Sequence, residues 1–192
     1  RRRIVALVTK QSFTYVFDRV TGEPIWPIVE RPVPASDVPG EKASPTQPFP
    51  SKPPAFDRQG FTLDDVVDFT PEVRARAVAA LKPYRLGAMY APPSLANAPD
   101  GTKGTIILPG VQGGAQWEHG AADPETGMIY VGSATQPSLI ALETSDDSDM
   151  DYVAARGNVP SVDGIPITKP PYGRITALDL KAGTIAWQVA NG

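Results

Sequence analysis

The chain contains no cysteine and a single histidine in 192 residues. Without thiols there is no disulfide framework, no thiolate nucleophile, no zinc–thiolate site and no CxxCH haem attachment, and the redox compartment cannot be read from cysteine usage. The one histidine, His119, has no second His or Cys to share a transition metal and no evident Ser or Cys nucleophile to serve, so it is a weak catalytic sign. Charge of one sign is also missing: 18 basic residues face 21 acidic ones, for a net charge of -3. That balance leaves no electrostatic footprint for nucleic acid, and Arg1, Arg2 and Arg3 read as a solvated end or cut edge. No apolar run approaches the roughly 18 to 20 residues of a membrane span. No signal-peptide pattern opens the chain. The stretch is expected to be soluble, with any targeting element lying outside it.

Proline and glycine are abundant, at 22 and 17 residues, which disfavours a helical bundle and favours short strands joined by turns. Ile4 to Val8 is an apolar run, and Phe13, Tyr15 and Phe17 alternate along "SFTYVFD", so two strands are expected, the second ending at Asp18. In "VFDRVTGEPIW" Asp18 is followed by Gly22 and Trp26. In "ALDLKAGTIAW" the same spacing returns as Asp179, Gly183 and Trp187. "ADPETGMIYV" repeats it with Asp123, Gly127 and Tyr130, one position short. Glycine at these offsets takes positive φ without a Cβ penalty, and the aspartate bonds the backbone ahead of it. "EPIWPI" is expected to be a short third strand near an edge, because Pro24 and Pro27 donate nothing to a ladder. With candidates at Thr105 to Leu108 and Leu139 to Glu143, about eight short strands are expected.

Between Val29 and Lys103 the repeat is interrupted. Prolines at 32, 34, 39, 45, 48, 50, 53 and 54 force an extended or irregular path. A disordered linker and an ordered insertion both fit; Phe49 and Phe56 as apolar anchors, and the return of the repeat afterwards, favour the insertion. Within it, "TPEVRARAVAALKPY" supplies Thr70 as N-cap, Pro71 at the first helical position and Glu72 at the positive end, predicting a helix to about Lys82.

Hairpins of this kind need neighbours to cover both sheet faces, and radially packed four-stranded sheets or a β-sandwich would provide them. The stretches "VTKQSFTYVFDRVTGEPIWPI", "ERPVPASDVPGEKASPTQPFPSKPPAFDRQG" and "GGAQWEHGAADPETGMIYV" resemble the quinoprotein dehydrogenases that use pyrroloquinoline quinone (PQQ), particularly the branch related to membrane glucose dehydrogenase. The Asp, Gly, Trp hairpins resemble the tryptophan-docking motifs of that family's propeller. The resemblance covers nearly the whole chain and is weakest from about 144 to 171. It implies an all-β fold: part of an eight-bladed β-propeller of four-stranded antiparallel blades, with blade segments at 1–28 and 104–192 and a Pro-rich, partly helical insertion at 29–103. Eight such blades need more than roughly 400 residues, so residues 1–192 are expected to be a fragment of the propeller's C-terminal half with unpaired edges.

Read alone, Lys10 is a solvated lysine at a strand end. The resemblance implies that it reaches the ortho-quinone oxygens of PQQ and stabilises the charge that grows there as hydride arrives. In "GVQGGAQWEHG", Gly113 and Gly114 either form a turn or let the backbone approach a planar ligand. The family places an amide and a tryptophan here against the cofactor; this chain has Gln116 where Asn is expected, followed by Trp117, for which blade packing is the equal alternative. His119 would line the substrate mouth.

"DDSDMDYVAARGN" places Asp147, Asp149 and Asp151 like a calcium loop, yet Tyr152 stands where glycine belongs and Asn158 where glutamate belongs, so a charged surface loop is expected. Asp18, Asp123 and Asp179 share a repeat position, which marks them as turn formers rather than as one catalytic base. The family's catalytic aspartate and the ligands of its Ca2+ or Mg2+ ion find no match here and are expected upstream of Lys10, leaving the fragment alone inactive.

The resemblance thus implies oxidation of a sugar or alcohol in the bacterial periplasm, with any membrane attachment made through a segment outside these residues. Electrons would pass to ubiquinone or a cytochrome, and the partners would be the remaining propeller blades rather than nucleic acid. Two rivals stand beside it: a non-enzymatic propeller scaffold of the outer-membrane assembly type, and a stand-alone binding module with a core closed within 192 residues.

Overall fold

The structure, a computed structural model, describes residues 2–192, and at Trp117 the backbone only. In chain order the strands β1 (Ile4–Val8) and β2 (Thr14–Asp18) pair antiparallel. A second ribbon joins β3 (Ile28–Pro32) to β4 (Thr46–Pro50). Then come α1 (Pro71–Leu81), β5 (Ser94–Leu95), β6 (Thr105–Ile107), β7 (Gly120–Asp123), β8 (Met128–Ala134), β9 (Ser138–Glu143), β10 (Val153–Gly157), β11 (Ser161–Val162), β12 (Ile165–Pro166), β13 (Gly173–Asp179) and β14 (Thr184–Ala190). The architecture is all-β with one helix. Strands are more numerous than the sequence pattern predicts because several are only two residues long and because the proline-rich stretch forms its own ribbon.

Strands β7, β8, β13 and β14 make one four-stranded sheet, antiparallel throughout. Strand β9 lies in a second sheet, between β10 on one side and β5 and β6 on the other, with β5 parallel to it. The third strand expected at "EPIWPI" is reduced to a bridge between Phe17 and Pro24 with two hydrogen bonds, Ile25 N–H to the Val16 carbonyl and Asp18 N–H to the Glu23 carbonyl, each at 2.8 Å. Prolines on both sides of Ile25 and Trp26 remove the donors that would extend it.

The repeated aspartate–glycine turns have one geometry. Asp18 Oδ1 accepts from the N–H groups of Val20 (2.8 Å) and Thr21 (3.2 Å). Asp123 Oδ1 accepts from Glu125 (2.9 Å) and Thr126 (3.4 Å), and Asp179 Oδ1 from Lys181 (2.7 Å) and Ala182 (3.2 Å). In each case the glycine N–H donates back to the aspartate carbonyl, and φ is +77° at Gly22, +80° at Gly127 and +71° at Gly183. The repeats also touch: a Cβ on Gly183 would come within 2.8 Å of the Trp26 indole, so the ring of the first repeat lies on the turn of the last.

Two buried clusters hold the chain. One joins Val8, Phe56, Ala115, Ile129, Val131 and Leu178, bringing together β1, the proline-rich stretch, β8 and β13. The other packs Ala77 and Leu81 of α1 against Phe61, Val66, Ile106, Leu139 and Ile167. Phe56 is fully buried. Phe49 meets Phe13 edge-on, with ring centroids 5.5 Å apart, and Tyr90 at 5.7 Å, while Arg31 lies over its ring. Helix α1 starts where its caps predict: Thr70 Oγ1 accepts from Val73 N–H at 3.2 Å and Pro71 opens the first turn.

Candidate cofactor site

Lys10 sits in the tight connection between β1 and β2. Thr9 closes this connection by donating from both its N–H and its hydroxyl to the Phe13 carbonyl, each at 3.0 Å, and Ser12 N–H donates to the Thr9 carbonyl at 3.1 Å. Ser12 adopts φ +66°, a left-handed conformation that a non-glycine residue holds only when its surroundings impose it. Two separate segments, 56–59 and Gly114, impose it through three hydrogen bonds. Gly114 N–H donates to the Lys10 carbonyl (2.9 Å), Gln59 Nε2 to the Gln11 carbonyl (2.6 Å) and Phe56 N–H to the Ser12 carbonyl (3.0 Å). The backbone of the turn is therefore fixed while the Lys10 side chain stays exposed.

The ammonium of Lys10 donates to the Val111 carbonyl at 3.3 Å. A lysine has three donors, and among the described residues no carboxylate forms an ion pair with this one. It is a cation on a rigid support with donors to spare.

Gly113 and Gly114 are required by the chain itself. A Cβ at Gly113, where φ is +87°, would stand 2.6 Å from Lys10 Cβ and Cγ, and one at Gly114 would stand 2.1 Å from Ser12 Oγ. The close backbone approach that the sequence suggests toward a planar ligand is, in the fold, an approach to the Lys10 turn. Beyond it, Gln116 precedes the 3-10 turn Trp117–His119, which packs against β1 and β8. His119 Nδ1 accepts from Gln116 N–H at 3.0 Å and His119 N–H donates to the Gln116 carbonyl at 3.0 Å. That acceptor role places the neutral ring's proton on Nε2, on an exposed side chain. The Trp117 side chain lies outside the described part of the structure.

Lys10 and Gln11 line a cleft of about 280 Å3 whose other walls are Ala88 to Ala91, Pro93, Ile107 to Gly110 and Ile140. Gln116 and His119 do not line it. The wall from Ala88 to Pro93 escapes sequence reading, because it is brought to Lys10 from the far end of the insertion. Tyr90 within it has φ +66°, and burial raises its hydroxyl above the usual phenol range. The neighbouring Tyr15 is raised as well, first by burial and then by Tyr90 and Glu30.

Asp57, which no motif marks, lies behind the site. Its side chain is 1% exposed and pairs with Arg174. Among the described residues no group of three or more His, Cys, Asp or Glu side chains is placed to hold a metal ion.

The family model for the β-propeller domain of glucose/ethanol/alcohol dehydrogenases of the PQQ type matches residues 1–192. The chain is 31% identical to the quinate/shikimate dehydrogenase (quinone) of Acinetobacter baylyi, a match covering 98% of this chain and 25% of that protein. Against the glycerol dehydrogenase large subunit of Gluconobacter oxydans it is 29% identical, over 94% of this chain and 28% of the relative. Against the quinoprotein glucose dehydrogenase of the same organism it is 26% identical, over 96% of this chain and 25% of the relative. The chain thus spans about a quarter of the length of the curated relatives it matches.

Proposed function

Because the chain belongs to the PQQ-type glucose/ethanol/alcohol dehydrogenase β-propeller family, we propose that the full-length protein oxidises a sugar or alcohol with PQQ, and that Lys10 contacts the cofactor. The observation that carries this reading is the Lys10 turn: backbone held by three hydrogen bonds from two segments, side chain exposed and without a carboxylate partner among the described residues. Such a donor fits PQQ, an acidic quinone. When bound, PQQ supplies the electrophile that takes up hydride from the substrate carbon. Lys10 stabilises negative charge at the quinone oxygens, and its fixed backbone means that no reorganisation is needed as that charge develops.

Gln116 and Trp117 belong to the same proposal as cofactor contacts, and His119 as part of the substrate mouth with its Nε2–H free to donate. The substrates that name the relatives, quinate or shikimate, glycerol and glucose, all carry several hydroxyls, which supports a polyhydroxylated alcohol. A Ca2+ or Mg2+ ion and the proton-accepting carboxylate would come from other parts of the full protein. Electrons would leave through ubiquinone or a cytochrome, in the periplasm. Residues 1–28 and 104–192 serve as blade segments and 29–103 as the insertion that walls the Lys10 cleft.

The test is to express the full-length protein and titrate it with PQQ in the presence of calcium or magnesium. Dye reduction is then assayed against glucose, quinate, glycerol and simple alcohols, with Lys10→Ala alongside. Cofactor-dependent turnover that falls at least about a hundredfold in Lys10→Ala supports the assignment, the scale expected when a donor to a developing anion is lost. No PQQ binding with either metal would sink it and leave a propeller scaffold.

A further inference from the structure

We infer that the buried Asp57–Arg174 pair is the positioning device for Lys10, an inference that rests on the cofactor role proposed above. Asp57 grips both residues that flank Ala134. Ser133 Oγ donates to Asp57 Oδ2 at 2.5 Å, and Thr135 Oγ1 donates to Asp57 Oδ1 at 2.7 Å. Arg174 completes the cluster, with Nη1 donating to Asp57 Oδ1 and, at 2.5 Å, to Thr135 Oγ1. Held on both sides, Ala134 donates its N–H to the Gly114 carbonyl at 2.7 Å, and Gly114 N–H donates to the Lys10 carbonyl at 2.9 Å. A second path leaves Asp57 through the backbone, since Phe56 N–H holds the Ser12 carbonyl at 3.0 Å. The Phe56 carbonyl is itself fixed by Gln188 Nε2 at 2.9 Å and Thr176 Oγ1 at 3.2 Å.

Both sides of the Lys10 turn therefore lead back to one carboxylate, reached from β8 on one path and from the insertion on the other. With its side chain 1% exposed and that of Arg174 12% exposed, the pair is shielded from water, where hydrogen bonds are directional and stiff. Loss of the carboxylate charge leaves the guanidinium and two hydroxyls to rearrange, and Ala134, Gly114 and Lys10 shift with them. Asp57 touches neither cofactor nor substrate in this assignment; it acts through the turn.

The experiment uses the full-length protein with Asp57→Asn, an isostere that removes the charge, and Ser133→Ala as the milder change should the first not fold. Amide hydrogen exchange is followed without PQQ, over 9–14 and 112–116, with helix α1 as control. Faster exchange at the first two segments by about tenfold, with the control unchanged, is expected. PQQ affinity is then measured in a double-mutant cycle with Lys10→Ala. Asp57→Asn should weaken binding about tenfold beside Lys10 and less than about twofold in the Lys10→Ala background, because coupled residues are non-additive. Exchange that rises equally in the control, or equal affinity losses in both backgrounds, overturns the inference and leaves Asp57 a structural ion pair. Failure of the unsubstituted protein to bind PQQ would remove the cofactor reading instead, and exchange alone would then decide the positioning link.

Discussion

At Gly183 two demands meet: a φ of +71°, and a Trp26 ring carbon 2.8 Å from where a Cβ would stand. Gly183→Ala is expected to cost about 3 kcal/mol, one part backbone strain and the rest displacement of the indole; the shift of the urea midpoint measures it. Gly113→Ala meets a different neighbour, the Lys10 stem at 2.6 Å. Its expected signature is loss of PQQ affinity out of proportion to any loss of stability. Ser12 runs the other way. Its hydroxyl is buried with no hydrogen-bond partner, so Ser12→Ala should be neutral or stabilising by about 1 kcal/mol, again read from the urea midpoint. What the sequence offers at this scale is uneven. The turn role of Gly183 is visible in its spacing from Asp179, whereas Lys10 stands out only through family resemblance. Asp57 is invisible because its partners Thr135 and Arg174 lie 78 and 117 positions away.

Among elements, the hairpin turns respond to pH in a direction that their bonding fixes. Asp18 is held below the ordinary carboxylate range, chiefly by Val20 N–H and then by Thr21 N–H, and Asp123 chiefly by the Thr126 hydroxyl and then by Glu125 N–H. A carboxylate whose folded pKa is lowered contributes fully above its unfolded value of about 3.9 and loses that contribution as pH falls through the folded value. Substituting both, Asp18→Asn with Asp123→Asn, should flatten the acid limb of stability at a small loss near neutral pH, since asparagine still forms the turn without the charge. Urea unfolding across an acid series checks the slope. Helix α1 gives a parallel case: Thr70→Ala removes the acceptor for Val73 N–H and is expected to cost about 1 kcal/mol by thermal or urea unfolding. Turns and caps are legible because their chemistry is complete within a few residues. The β3–β4 ribbon, the two-residue strands and the cleft wall at Ala88 to Pro93 depend on partners far along the chain, and local pattern carries no trace of them.

For the molecule as a whole, the contact between Trp26 and Gly183 gives the tryptophan-bearing repeats a direction: the indole of the first lies on the turn of the second such repeat, past the Gly127 turn. By that rule Trp187 needs a following repeat and Gly22 a preceding one, and both are open here. Trp187 is 44% exposed, touched by Tyr130 at 5.9 Å between ring centroids, and β14 is exposed along its whole length. Among the described residues, no atom beyond its chain neighbours lies within 4 Å of a Cβ built on Gly22. The matched stretch covers about a quarter of its relatives, which leaves enough chain in them for the repeats that the rule demands. In the full-length protein, Gly22→Ala should therefore cost as much as Gly183→Ala, rather than the roughly 1 kcal/mol that positive φ alone exacts. Trp187→Ala should cost about 3 kcal/mol or more, as for a buried aromatic. Residues 1–192 expressed alone should show only the φ cost at Gly22 and little cost at Trp187, and should self-associate through the unpaired edge of β14. Paired unfolding curves for the two lengths settle it: equal, small effects in both would mean that the Trp26 contact is particular to one hairpin pair and that the repeats do not close by passing indoles around a ring.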